Sequence, residues 1–78
     1  GRELALFRRG GEVFALENVC PHRGAGIADG EVRGDVVYCP VHAWPFELAT
    51  GRCADAHRDA GVERFAVTLE GGEIHVEL

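Results

Sequence analysis

Two short stretches of the 78-residue chain hold the residue types that do metal chemistry. One reads Cys20-Pro21-His22-Arg23-Gly24, the other Cys39-Pro40-Val41-His42-Ala43-Trp44. Each offers one thiolate and one imidazole. Residues 23–38 lie between His22 and Cys39, enough for a strand or two that bring the stretches together. Two cysteines and two histidines, divided evenly between two loops, form a metal-binding arrangement. The chain has three cysteines, Cys20, Cys39 and Cys53, so a cluster with four cysteine ligands is excluded within one chain. Two Cys and two His can hold a tetrahedral zinc, or a [2Fe–2S] centre in which two histidines replace two cysteines on one iron. Zinc motifs usually pair like ligands, as C-x₂₋₄-C and H-x₃₋₅-H. Here each loop pairs unlike ligands, C-x-H and C-x-x-H. That suits two inequivalent irons, each loop giving a thiolate to one and an imidazole to the other.

The elements that position these loops read as strands. Leu4-Ala5-Leu6-Phe7 and Val13-Phe14-Ala15-Leu16 flank the turn signal Gly10-Gly11. Both are apolar runs more than alternations, so both faces are expected to be covered. Asn18 opens the first ligand loop. Pro21 and Pro40 each follow a ligand cysteine and stiffen their loops by fixing φ. Gly24 and Gly26 allow tight turns that bring amide groups close to a bound centre. Asp29-Gly30 and Gly34-Asp35 bound a strand at Glu31-Val32-Arg33. Val36-Val37-Tyr38 leads into Cys39, Trp44 to Leu48 leaves the second loop, and Ala49-Thr50-Gly51-Arg52 turns the chain. Residues 53–61 read as a loop. Phe65, Val67 and Leu69, then Ile74, Val76 and Leu78, alternate with other residues on either side of Gly71-Gly72, a hairpin. No stretch has a helical period, so the fold class expected is all-β.

Composition sets limits. One small domain of this size buries a modest core and often needs a staple. Apolar residues make up 46% and charged residues 27%, ordinary for a globular chain. No apolar run approaches the roughly 18 residues of a membrane span. A net charge of −5, with all eight basic residues Arg, argues against nucleic acid and suits a partner with a basic docking patch. No membrane partner is expected, and the expected location is cytoplasmic. Gly1 is not an initiator, so the chain is expected to be a trimmed one.

C-P-H-R-G-A at residues 20–25, C-P-x-H-x-W at residues 39–44 and the following Thr50-Gly51 together resemble a Rieske [2Fe–2S] domain. Ala28-Asp29-Gly30-Glu31-Val32 and Phe46-Glu47-Leu48-Ala49 extend the resemblance to nearly the whole chain. Within that family the chain is most similar to the small subunit of NAD(P)H-dependent nitrite reductase and to bacterial Rieske ferredoxins. It departs from that subunit at Ala43, where Asn is common. The resemblance implies one [2Fe–2S] cluster per chain, with Cys20, His22, Cys39 and His42 as its ligands. It implies a Rieske-type antiparallel β sandwich or small barrel: a single domain over 1–78, with a cluster-binding subdomain at about 18–52 inserted in a base sheet of 1–17 and 53–78. Strands upstream of Gly1 are implied as well. Cys53 is then left as a thiol outside the ligand set, and His57 and His75 as solvated side chains.

The function this implies is one-electron transfer within an oxidoreductase, as the small subunit of a nitrite reductase whose larger subunit does the catalysis. No G-x-G-x-x-G follows a strand, and no catalytic site is expected in the chain itself. The alternative is a Rieske ferredoxin component, or a trimmed Rieske domain, of a ring-hydroxylating oxygenase system, with a flavin reductase and an oxygenase as partners. A zinc-stapled structural module is the alternative from another class.

The ligand set bears on the reduction potential. Two ferric ions, two sulfides and two thiolates sum to about zero, and to about −1 after one electron; four thiolates would make each state about two units more negative. Histidine ligation therefore raises the potential, into a range of roughly −150 to +300 mV. High-potential members of the family carry a disulfide between the loops, at positions matching Ala25 and Val41, and hydroxyl donors at positions matching Trp44 and Phe46. This chain has neither. The expected potential is about +50 mV or below. Protein-film voltammetry checks this, and a value well above about +100 mV would contradict it.

Overall fold

The computed structural model describes residues 3–21, 24–41, 43–55 and 59–78. Among these there is no helix; eight short strands form three antiparallel sheets. β1 (Leu4–Arg9) and β2 (Glu12–Glu17) form a hairpin around Gly10-Gly11, in register from Leu4 opposite Glu17 to Arg9 opposite Glu12. β6 (Arg64–Phe65) adds to the other side of β2, with Ala15 opposite Phe65. β3 (Glu31–Arg33), β4 (Val36–Tyr38) and β5 (Pro45–Glu47) form the second sheet. β7 (Val67–Glu70) and β8 (Glu73–Val76) form the terminal hairpin around Gly71-Gly72. The strands expected from the sequence are present within a residue or two at each end, except that the run over 65–69 divides at Ala66: Phe65 ends β6, beside β2, and Val67 begins β7. The all-β expectation holds.

Burial departs from the sequence reading at two places. The first hairpin has one face fully covered. Ala5, Phe7 and Leu16 pack there with Ile27, Val37, Phe46 and Leu48 into one cluster. The opposite face is covered at Ala15 and Phe65 but open at Leu6, which is 50% exposed. A shallow groove runs along this face, lined by Val13, Ala15, Phe65 and Val67. The apolar run in β1 is thus an alternation hidden by its composition: Leu6 points away from the cluster that holds Ala5 and Phe7. The terminal hairpin pairs Val67 with Val76 and Leu69 with Ile74, the alternation expected. Its apolar side is nevertheless open, with Leu69 49% and Ile74 41% exposed.

The second sheet packs inward through Val37 and Phe46, which face each other across β4 and β5 and are both fully buried. Pro45 starts β5, a position where a missing N–H costs no ladder bond. Its carbonyl accepts from Ala54 N–H at 2.8 Å. The stretch after Cys53 is closed at its base. Arg52 bridges Gly61, and Cys53 N–H donates to Ala60 O at 3.0 Å. His57 lies outside the described residues. His75 sits opposite Thr68 on the exposed side of β8.

The turn after β5 joins the second sheet to the segment that leads into β6. Gly51 has φ +79°, a left-handed conformation open to Gly at little cost. It is buried, its carbonyl accepts from Val62 N–H at 2.8 Å, and a Cβ at this position would overlap the Val62 carbonyl oxygen. Gly51→Ala combines an unfavourable backbone conformation with a backbone overlap. It is expected to cost about 3 kcal/mol or more and to lower the thermal midpoint by over ~10 °C. Thermal denaturation followed by circular dichroism checks this; an unchanged midpoint would contradict it.

Candidate metal centre

Cys20 and Cys39 are 1% and 3% exposed, and both belong to the buried cluster built from Leu16, Ile27, Val37, Phe46 and Leu48. The structure therefore brings the two predicted thiol ligands into one core. None of the three cysteines is in a disulfide. The other two predicted ligands, His22 and His42, lie outside the described residues, as does Arg23.

The two loops share one backbone design. In the first, Gly24 N–H donates to Cys20 O at 2.7 Å and Cys20 N–H donates to Ala25 O at 2.6 Å. In the second, Ala43 N–H donates to Cys39 O at 2.8 Å and Cys39 N–H donates to Trp44 O at 2.9 Å. Each loop is thus a tight turn that starts at the cysteine and closes on the fourth and fifth residues after it. In each, proline follows the cysteine and the fourth residue is left-handed, Gly24 at φ +73° and Ala43 at φ +58°. Superposing the loops by position sets Cys20 on Cys39, Pro21 on Pro40, Gly24 on Ala43 and Ala25 on Trp44. The histidines fall one place apart, His22 on the second residue after cysteine and His42 on the third.

This arrangement fits the chemistry of the donor set. Both thiols are almost fully withdrawn from solvent among apolar side chains. Two such sulfurs in one core, each at the head of a pre-shaped turn, suit a soft metal centre better than a reactive thiol, which needs exposure. Cys53, half-buried and opposite Phe46, packs against the same cluster from the side. Its N–H donates to Ala60 O, seven residues on, where Cys20 and Cys39 donate to the fifth residue after them. Trp44 is half-buried against the cluster and Phe46 is fully buried, so both serve packing.

The left-handed Ala43 is a feature the sequence reading did not find. The signal was available: aligning the loops on their cysteines puts Ala43 where the other loop has Gly24. A non-glycine residue in this region costs roughly 1–2 kcal/mol. Ala43→Gly is expected to stabilise the protein by about 0.5–1 kcal/mol, the strain relieved less glycine's greater chain entropy. Gly24→Ala, in the matching position, should destabilise by a similar amount. Paired denaturation curves check both, and shifts of the same sign for the two variants would contradict the shared-turn reading.

Comparison with known proteins agrees with this geometry. Residues 1–66 match the Rieske [2Fe-2S] domain family. The ferredoxin component of the naphthalene 1,2-dioxygenase system of Pseudomonas aeruginosa is 35% identical over 78 residues, all of this chain and 75% of the relative. The structure of a complex of reduced oxygenase and oxidised ferredoxin in carbazole 1,9a-dioxygenase contains a similar chain. It superposes with a TM-score of 0.87 at 34% identity, covering 95% of this chain and 76% of that one. A Mycobacterium tuberculosis protein assigned as the small subunit of an NADH-dependent nitrite reductase superposes with a TM-score of 0.89 at 32% identity, covering 97% of this chain and 73% of that one. With its residues 1–66 matched and its two thiols buried in one core, the chain belongs to the Rieske [2Fe–2S] domain family, and its cofactor is a [2Fe–2S] cluster.

Proposed function

We propose that Cys20, His22, Cys39 and His42 hold the cluster, each loop giving one thiolate and one imidazole, and that the protein passes single electrons to a larger redox partner. The observation that carries the ligand assignment is the repeated turn. Two loops of one backbone design each start at a buried cysteine and contain one histidine. Cys53 lies outside that design. When bound, the cluster supplies a one-electron redox couple. The chain's own residues do the rest. The paired turns fix the sulfur positions, and Ile27, Val37, Phe46 and Leu48 exclude water behind them. The family assignment leaves the zinc-stapled module without support.

Two partners fit. The sequence reading puts a nitrite reductase first, and the Mycobacterium tuberculosis neighbour supports it. The oxygenase ferredoxin reading is as well supported, because the naphthalene dioxygenase ferredoxin matches along the whole chain and the carbazole dioxygenase complex contains a similar fold. On either reading the partner is a larger oxidoreductase. A flavin reductase as electron donor belongs to the second.

The surface around the loops suits a close approach. The exposed residues described there, Pro21, Gly24, Pro40, Val41 and Ala43, carry no charge, and Val41 is 51% exposed. Electron tunnelling weakens steeply with distance, so small uncharged side chains at these five positions favour it. None of the described strands or turns forms a helix long and apolar enough to cross a membrane.

Electron paramagnetic resonance of the reduced protein tests the ligand assignment. A rhombic signal is expected, lost in His22→Ala and His42→Ala and kept in Cys53→Ser; loss in Cys53→Ser would contradict it. Val41→Glu is expected to slow reduction of the partner about tenfold, the effect of roughly 1.4 kcal/mol at a docking surface. The reduction potential should change little. Stopped-flow mixing with an oxygenase and with a sirohaem reductase then separates the two partners.

A further inference from the structure

The two ligand loops share a turn but are closed at their bases by different means. The second is the connection of a hairpin: Tyr38 pairs with Pro45 across β4 and β5, immediately outside Cys39 and Trp44. The first has no such ladder. β2 ends at Glu17, β3 begins only at Glu31, and those strands lie in different sheets. The corresponding residues, Val19 and Gly26, fall in neither.

One carboxamide stands in for the ladder. Asn18 Oδ1 accepts from Ala28 N–H at 2.8 Å, joining the entry of the loop to its exit. Asn18 Nδ2 donates to Glu3 Oε1 at 2.8 Å, and Asn18 N–H donates to Glu3 O at 2.9 Å. These bonds tie the loop entrance to the residue before β1. The exit segment lies close against the amide: a Cβ on Gly26 would sit 3.1 Å from both Asn18 Oδ1 and Asn18 Nδ2. Sequence reading gave Gly26 a role in the turn; the structure gives it the role of leaving space for Asn18.

The chemistry at this point admits few side chains. The Ala28 amide only donates and the Glu3 carboxylate only accepts, so the bridging group needs one acceptor end and one donor end at fixed separation. A carboxylate would serve Ala28 but confront Glu3; an aliphatic group of the same size would serve neither. We infer that Asn18 is a positioning residue for the centre, closing the first loop and thereby fixing the stance of Cys20 relative to Cys39. This rests on the reading that Cys20 is a cluster ligand. Groups that orient ligands from outside the coordination sphere set both affinity and electronic character of a metal site.

The test uses the cluster-loaded protein and two readouts, the g-values of the reduced cluster and the rate of cluster loss to a chelator. Asn18→Leu keeps the branched shape and the number of heavy atoms and removes both side-chain hydrogen bonds. It is expected to speed cluster loss about tenfold or more and to shift or broaden the g-values. Glu3→Gln should behave as the parent, because its amide oxygen still accepts from Asn18. Asn18→Asp should be impaired, and Asn18→Asp combined with Glu3→Gln should recover, the donor and acceptor having changed sides. Parent-like g-values and loss rate in Asn18→Leu would overturn the proposal, as would failure of the double variant to improve on Asn18→Asp. Should Asn18→Leu yield no loaded protein, Gly26→Ala decides. Its methyl presses on the amide, which must give by a few tenths of an ångström while Asn18 remains, so a shift in g-values supports the proposal and an unchanged spectrum overturns it. Absence of a Rieske signal in the parent protein would instead refute the ligand reading itself.

Discussion

Cys20 and Cys39 occupy the same buried cluster as Leu16, Val37 and Phe46, so the interior is organised around two sulfur atoms. For a chain of this size the interior is small, and groups that ionise there need compensation. On the proposed assignment of Cys20 and Cys39 as ligands, a metal centre would provide it and link segments far apart in sequence. Metal binding free energy then becomes folding free energy. The sheets supply the platform, the turns supply the aim, and neither sheet contacting the loops is large enough to hold them alone.

The aim comes from a repeated backbone device. A proline after each cysteine restricts the approach, and a left-handed residue three places later sends the chain back so that its amide meets the cysteine carbonyl. Because both loops use it, the two sulfurs are presented in the same local frame. What distinguishes the loops is the place of histidine, one position later in the second. On the proposed ligand assignment, that offset would let one turn design serve two inequivalent metal ions without a second scaffold. The loops differ again in their footing, a strand ladder under one and the amide of Asn18 under the other.

How much of this was legible in the sequence follows from the range of each interaction. The hairpins were readable because alternation and Gly-Gly pairs are local signals: Val67, Leu69, Ile74 and Val76 announce their own register. Exposure was less readable. Leu6 and Leu69 look like core residues, but burial depends on what lies over a face, and that is decided far along the chain. Cys20 and Cys39 were readable as candidate ligands from type and spacing, and both lie in the core. The bridge from Glu3 through Asn18 to Ala28 was not readable, since polar residues at positions 3 and 18 carry no mark of meeting. Ala43 was hidden because alanine gives no hint of a left-handed backbone; only the parallel with Gly24 reveals it.

The open side of the last hairpin bears on how the molecule behaves in a crowded solution. Leu69 and Ile74 form a greasy ridge on a two-stranded ribbon, and among the described residues no strand pairs with the outer edge of β8. Such a border invites a neighbour to add itself as another strand. Glu70 and Glu73 face each other at the turn end of this ribbon, and Glu77 follows β8 at the opposite end. Their mutual repulsion is a local cost, but the same negative charge turned outward keeps one ribbon from zipping onto the next. High salt, by screening those charges, weakens that guard and leaves the ridge as the place where self-association begins.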